Sequence, residues 1–410
     1  MKRKLIAALF ALTLAWLVAI APATAQGTTA GEPDWREQYA YTLGVQAYVY
    51  GFPWVYLPTV RYLWVTQPRD PQRVPYAALN QFWNAPQLAD AKYRDGGSPN
   101  NDTLYSAAWV DVSKEPVILS HPDMGERYFT FEIADMSSDN FAYVGKRTTG
   151  PKAGNFAIVG PGWKGTLPSG VQSLPPSSTP YVLILGRTLV SGEADVPNVN
   201  KLQQQYRLTP LSQWGKADFK SADDRNVWPP FNPKTDPLAD WKTMNKAMTE
   251  NPPSDKQAVL LQLFATIGIG PGQDVDKMDE STKAGLARAA KDGRALLQEI
   301  LKAGGDGKRV NGWSYPPPDL GRAGQHDDWV TRGAIQCLGG IISNDPAEAV
   351  YMNTFTDIAG KKLTGENRYV LHFKKEDFPQ VNAFWSMTMY DLTYNLVANP
   401  INRYSIGNRT

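Results

Sequence analysis

The 410-residue sequence has one cysteine, three histidines and charged side chains at only 20% of its positions. A lone cysteine closes no internal disulfide. Cys337 lies in the apolar run Ala334-Ile335-Gln336-Cys337-Leu338, with nothing nearby in sequence to lower its pKa. It reads as a small core residue rather than a nucleophile. His121, His326 and His372 are far apart, and none has a second ligand three or four residues away, so their spacing offers no zinc site. There is no ordered carboxylate loop of the EF-hand kind, no G-x-S-x-G elbow, no P-loop and no dinucleotide fingerprint in the strand and helix setting it needs. Triad hydrolysis and cofactor redox chemistry fall behind other readings, and the sequence calls for no cofactor and no metal. No repeat of 20 to 50 residues and no low-complexity segment is present.

One apolar run stands out, Leu5 to Ile20, preceded by Lys2, Arg3 and Lys4 and followed by the small residues Ala23-Thr24-Ala25. This is the pattern of a secretory signal over residues 1–25, cleaved ahead of Gln26. An uncleaved membrane anchor is the competing reading, and the run is short for a span. The expected location is therefore periplasmic or secreted. Removing the three basic residues takes the formal charge from +2 to −1. A near-neutral mature chain argues against nucleic acid as a partner.

Aromatics, proline and glycine are abundant: 13 Trp, 19 Tyr, 32 Pro and 34 Gly. Many turns and short strands follow from this. The chain is organised around Ser98-Pro99-Asn100-Asn101-Asp102-Thr103-Leu104-Tyr105-Ser106. A turn begun by Gly96 and Gly97 runs into a strand, with three polar side chains at its mouth. Two aromatic helices are expected before it, one capped by Asp34 and ended by Gly51, the second with Pro53 in its first turn. Strands are expected at 127–133, 141–144, 155–159 and 181–185. The pattern turns helical near 197, with helices opening at Asp236-Pro237 and at Ser254 (carrying Val259, Leu260, Leu263 and Phe264). The longest covers 279–303 and stops at Gly304-Gly305; another runs from Asp327 or Asp328 to Ile342. Strands return at 368–373 and 383–390. The fold class is α+β: a β-sandwich with leading helices over 34–192, a helical segment over 197–343 and an incomplete β region over 344–410.

The segments Ser98 to Ser106, Arg127-Tyr128-Phe129, Phe141 to Gly150 and Val159-Gly160-Pro161-Gly162-Trp163 resemble the family called domain of unknown function 1254. The segments Asn367 to Phe373, Ala383 to Asp391 and Asn399 to Gly407 resemble domain of unknown function 1214. The two occur together, in that order, in exported bacterial proteins. The resemblance implies an immunoglobulin-like β-sandwich, a helical middle and a jelly-roll-like β region, and no settled activity. Relatives continue past Tyr404-Ser405 with further strands, so the carboxy-terminal sheet of this sequence is expected to be partial.

The candidate chemistry is carboxylate, amide and aromatic. Asp102 and Asp135 at strand ends suit an acid/base pair, if about 5–10 Å apart as glycoside hydrolysis requires. His372 is a general-base candidate. Asn100, Asn101, Asp102 and Tyr105 are candidate hydrogen-bonding residues, and Trp109, Trp163, Trp385 and Tyr390 candidate platforms. Arg147 and Arg403 are candidates for holding an anionic group. For each, turn bracing, core packing or a solvated surface is the plainer explanation. Three readings stay open: an exported protein that binds a small polar or carbohydrate-like ligand; a periplasmic hydrolase or lyase acting on a glycan; and an assembly module completed by another chain. The partners implied are a small molecule or glycan, with a homo-oligomer left open.

Overall fold

The computed structural model describes residues 34–409 apart from 68–69, 71–73, 95–97 and 306. The expected signal at 1–25 and the turn glycines Gly96 and Gly97 lie outside the described residues. The architecture is α+β in three layers: helices, a five-stranded sheet and a four-stranded sheet.

The first sheet holds β1 (Trp83–Asn84), β2 (Thr103–Asp111), β4 (Phe129–Asp135), β5 (Asn140–Gly145) and β8 (Tyr181–Leu189), in the order β1-β2-β8-β4-β5. The second holds β3 (Val117–His121), β6 (Gly154–Ile158), β7 (Gln172–Ser173) and β9 (Arg207–Pro210), in the order β7-β6-β3-β9. Strand alternation puts Ala108, Val110, Phe129, Phe131, Ile133 and Ile184 on the face shared with Leu119, Phe156 and Leu208 of the second sheet. His121 is buried there, its ring stacked on Phe156. Gly186 is required where this face is tightest, because a Cβ there would stand 2.8 Å from the Phe131 ring.

The opposite face of the first sheet carries Ala107, Trp109, Ala134, Leu183 and Leu185, which share a core with the helices. These are α1 (Trp35–Gly51), α2 (Pro53–Thr66), α4 (Ala239–Glu250) and α6 (Glu280–Ala303), with the short α3 (Val196–Gln203) and α5 (Ala258–Ala265) adding Val199 and Phe264. Helix α6 is capped by Asp279, whose carboxylate accepts from the Thr282 N–H at 3.0 Å and hydroxyl at 2.8 Å. It buries Gly285, Leu286, Ala289, Gly293 and Leu297, a stripe at helical spacing. The small residues let α1 approach: Gly285 faces the Glu37 carbonyl and Ala40, Gly44 faces Ala289, and Gly293 faces Tyr48.

A π-helical segment, Thr331–Leu338, links the helices to the tip of the β4–β5 hairpin. Arg332 is buried among the rings of Trp329, Tyr50 and Trp54, at 4.5, 5.0 and 5.3 Å, and donates to the Tyr50 carbonyl. Gln336 donates to the Ser138 carbonyl and to Asp139. Cys337 is buried, and burial pushes its thiol up to about 12.

Several expectations need correction. Residues 368–373 form no strand: they are largely exposed, Val370 at 91%, and no described strand lies beside them to supply hydrogen bonds. After the short hairpin of β10 (Arg309–Val310) and β11 (Trp313–Ser314), only β12 (Ser386–Thr388) of 383–390 is a strand, paired with β13 (Ser405–Gly407). Asp34 precedes α1 but makes no side-chain cap. Ser254 caps a 3-10 turn, Asp255–Gln257, that runs directly into the helix Ala258–Ala265, but of the expected apolar residues only Phe264 is buried and Val259 is 81% exposed. The helix expected from Asp327 or Asp328 to Ile342 is present over 329–340, with Asp328 accepting from the Thr331 N–H at 2.9 Å, but its middle, Thr331–Leu338, is π-helical. Strand β9 rejoins the second sheet after residues 192–197 have been passed.

An alanine at 285 would put its Cβ 2.3 Å from the Glu37 carbonyl oxygen and 3.0 Å from Ala40. Gly285→Ala is therefore expected to destabilise the chain by about 1–3 kcal/mol through overpacking. Urea unfolding measures this; an unchanged midpoint would mean that α1 and α6 are not in this contact.

Candidate functional site

The helices cover only part of their face of the first sheet. The β2–β8 and β4–β8 registers put Tyr105, Arg187 and Thr130 in one cross-strand row, and Ala107, Leu185, Glu132 and Tyr143 in the next. Alternation therefore gathers Tyr105, Arg187, Thr130, Glu132 and Tyr143 at one end of the face that holds Trp109 and Leu183 at the other. At that end the cover is not the helices but the chain from about 343 onward.

Glu132 is fully buried, and the Arg187 side chain is 16% exposed. Arg187 Nη1 donates to Glu132 Oε2 at 3.3 Å, and Asn140 Nδ2 to Glu132 Oε1 at 3.1 Å. Burial pushes the Glu132 carboxyl up to about 7, against the pull of Arg187 and Asn140 and with the help of Asp345 and Glu348. Tyr143 OH donates to Asp345 Oδ1 at 3.0 Å and accepts from the Asp345 N–H at 2.8 Å. Arg322 Nε holds the other Asp345 oxygen at 2.6 Å. Tyr128 OH donates to Glu348 Oε1 at 2.7 Å, and Arg147 Nε to Glu348 Oε2 at 2.5 Å. Three carboxylates thus meet three guanidiniums around four strands, as buried charge demands.

The cover is also fastened at the mouth of β2. Arg409 Nη2 pairs with Asp102 Oδ1 at 2.7 Å, Arg409 Nη1 donates to the Val190 carbonyl at 2.7 Å, and the guanidinium lies 4.9 Å from the Phe384 ring. Phe384 packs edge-on against Tyr128. Tyr390 OH donates to the Ser98 and Pro99 carbonyls, each at 3.1 Å.

The structure brings Asp102, Tyr105, Arg147 and Tyr390 of the expected residues to this region. Asn100 closes an Asx-turn, its Oδ1 accepting from the Asp102 N–H at 2.7 Å, and Asn101 Nδ2 donates to the Ala89 carbonyl at 2.5 Å. Trp109 is buried against the helices, and Trp163 packs on the outer face of the second sheet. Trp385 lies beside Phe373 and Phe378 and lines a cavity of about 480 Å³. Arg403 is exposed, donating to the Ser405 carbonyl at 3.4 Å. His372 is exposed in a loop.

Asp102 and Asp135 do not form the acid/base pair. Asp135 is registered with Val182 at one end of β8, while Asp102 precedes Thr103, which is registered with Leu189 at the other. The separation is roughly 20 Å at strand rise. Asp135 instead accepts from the Ser137 N–H at 2.8 Å and from the Ser178 hydroxyl, bracing the hairpin turn. A groove of about 510 Å³ lined by Leu79, Asn80, Glu115, Lys216 and Phe219 shares no residue with the polar row. Among the described residues no group of three His, Cys, Asp or Glu is arranged to hold a metal, and no helix is long and apolar enough to cross a membrane.

Residues 79–210 match the family described as "Protein of unknown function (DUF1254)", and residues 348–410 that described as "Protein of unknown function (DUF1214)". The polar row is the junction of the two: its strands lie in the first segment, and Glu348, Tyr351, Tyr390 and Arg409 in the second. The crystal structure of the VPA0106 protein from Vibrio parahaemolyticus is similar over 90% of this chain and 84% of its own, with a TM-score of 0.67 and 25% identity. No curated protein matches the chain.

Because the folded pKa of Glu132 is raised from 4.5 to about 7, its contribution to stability is present in full below the unfolded value and is lost as pH rises through the folded one. Asp139, raised to about 6 chiefly by burial, acts in the same direction over a lower window. Glu132→Gln removes only the first contribution. Relative to that variant, the wild type is expected to lose on the order of 2–3 kcal/mol of unfolding free energy between pH 4.5 and 7.5. Urea titrations across that range read the difference, and a constant difference would contradict a buried, titrating Glu132.

Proposed function

We propose that this chain, a member of the DUF1254 and DUF1214 families, binds a small polar or carbohydrate-like ligand between the polar row of its first sheet and the cover formed by its DUF1214 segment. The observation that carries this reading is the buried Glu132–Arg187 pair with tyrosine hydroxyls converging on it. A sheet face that served packing alone would be better filled with apolar side chains, since a buried ion pair adds little net stability over well-packed hydrophobic residues. Aromatic rings with hydroxyl tips offer both a platform and hydrogen bonds to a hydroxylated ligand. The basic and apolar start of the sequence supports an exported, periplasmic or secreted protein.

A second reading has its own support. A carboxyl near 7 is matched to proton transfer at neutral pH, so hydrolase or lyase chemistry on a bound glycan would use Glu132 as its acid or base. The third reading, an assembly module, is supported by the exposed apolar side chains Val370, Leu392 and Ile401. On fold, we read the two sheets, with their common apolar core, as an immunoglobulin-like sandwich and the 348–410 region as part of a jelly-roll-like unit.

Thermal unfolding of the protein against a panel of neutral and acidic sugars tests the binding reading. At least one is expected to raise the midpoint with rising concentration, and Glu132→Gln to abolish the shift. A shift unaffected by that substitution would place the ligand elsewhere; turnover of the same ligand, lost in Glu132→Gln, would favour the enzyme.

A further inference from the structure

Arg187 uses little of its guanidinium. Among the described residues its hydrogen bonding is the single 3.3 Å contact to Glu132, although a guanidinium carries five donors in a fixed fork. The phenols of Tyr351, Tyr105 and Tyr128 lie close enough to act on its charge, and the Tyr105 ring is 5.8 Å from the guanidinium carbon. These phenols differ in what they have left to give. Tyr128 commits its proton to Glu348. Tyr105 accepts from the Asn100 N–H at 2.9 Å, and Tyr351 accepts from Asn344 Nδ2 at 2.8 Å. Each of these two therefore keeps its own O–H to donate.

A second observation points into the same place. Thr130 sits directly across from Arg187 and is 1% exposed, yet its Oγ1 is buried without a hydrogen-bond partner. A buried hydroxyl left unpaired is costly unless something arrives to meet it.

We infer that Arg187, Tyr105 and Tyr351 form an oxyanion subsite that takes the carboxylate of a small hydroxylated acid, with Thr130 meeting one of the ligand's oxygens. This rests on the reading that the row binds a ligand, and it adds the ligand's charge. The fork of Arg187 matches the two oxygens of a carboxylate, and two phenol protons complete the donor set. Local charge limits the choice. Arg187, Arg147 and Arg322 face Glu132, Glu348 and Asp345, so once Glu132 is protonated the site holds one uncompensated positive charge. One added negative charge is accommodated when Glu132 takes up a proton; the two charges of a phosphate monoester are not.

The test compares D-glucuronate, D-glucose and glucose 6-phosphate by calorimetric titration of the full chain at pH 6. Glucuronate is expected to bind at least tenfold more tightly than glucose and than glucose 6-phosphate. Tyr351→Phe, which removes one phenol from the partly exposed cover, is expected to weaken glucuronate about tenfold and leave glucose unchanged. Arg187→Lys should weaken glucuronate more strongly still, and Tyr351→Phe supplies the answer if that variant does not fold. Equal binding of glucose and glucuronate would overturn the oxyanion subsite while leaving the ligand-binding reading intact. Tighter binding of glucose 6-phosphate would overturn the assignment to a carboxylate. Glucuronate affinity unchanged in Tyr351→Phe would remove that phenol from the subsite and overturn the three-donor arrangement. No binding of any of the three would overturn the inference together with the reading beneath it.

Discussion

A carboxylate and a guanidinium held on one face of a sheet, away from water, set the terms for everything around them. Glu132 and Arg187 lie on adjacent strands, and neither tolerates burial alone. Their presence divides the face. Where it is apolar, at Trp109, Leu183 and Ala134, the α1, α2, α4 and α6 layer covers it. Where it is charged, helices of that kind would leave charges unpaired, and the cover is instead a chain carrying Asp345 and Glu348, each tied to its own arginine. The β4–β5 hairpin joins the two regimes: the two protons of Asn140 Nδ2 are shared among Glu132, Tyr143, Ser343 and Asp345, all within 3.1 Å, while Asp139 accepts from Gly324 and Gln336.

The carboxy-terminal cover is held by few contacts and carries much exposed apolar surface. Arg409 and Tyr390 fasten it at the β2 mouth, and Asp345 and Glu348 at the hairpin. Between these anchors it consists mainly of loops, with β12 and β13 as its paired strands. Such a segment opens at lower free energy than the sheet beneath it. That suits the proposed ligand site, and it makes the segments matching the two families parts of one arrangement, with 348–410 lying over strands of 79–210.

Much of the fold was legible in the sequence because it rests on local signals. Alternation in Tyr128 to Ile133 and Tyr181 to Leu185, the Asp279 cap and the Gly304 stop each gave an element close to where it lies. The site was less legible. Glu132 is one polar residue in an apolar strand, and nothing in its neighbours marks it; its partner Arg187 is 55 positions away. Only the register of β4 against β8 brings them together. A charged residue facing inward on each of two such strands was the available signal, since neither is stable there without a partner. Asp102 and Asp135 drew attention because they flank turns, and register sets them at opposite ends of the sheet. The segment 368–373 has strand composition, but pairing is a property of two segments, and none of the described strands lies beside it.

The proposed site requires Glu132 to be a titrating, ligand-sensitive group rather than a fixed brace. Infrared difference spectroscopy of the carboxyl stretch, wild type minus Glu132→Gln, reads this directly across pH 5–8. The expected result is a protonated-carboxyl band that titrates at about 7 and whose midpoint rises when a stabilising ligand is bound. A band absent throughout, or one indifferent to every ligand that raises the unfolding midpoint, would contradict it.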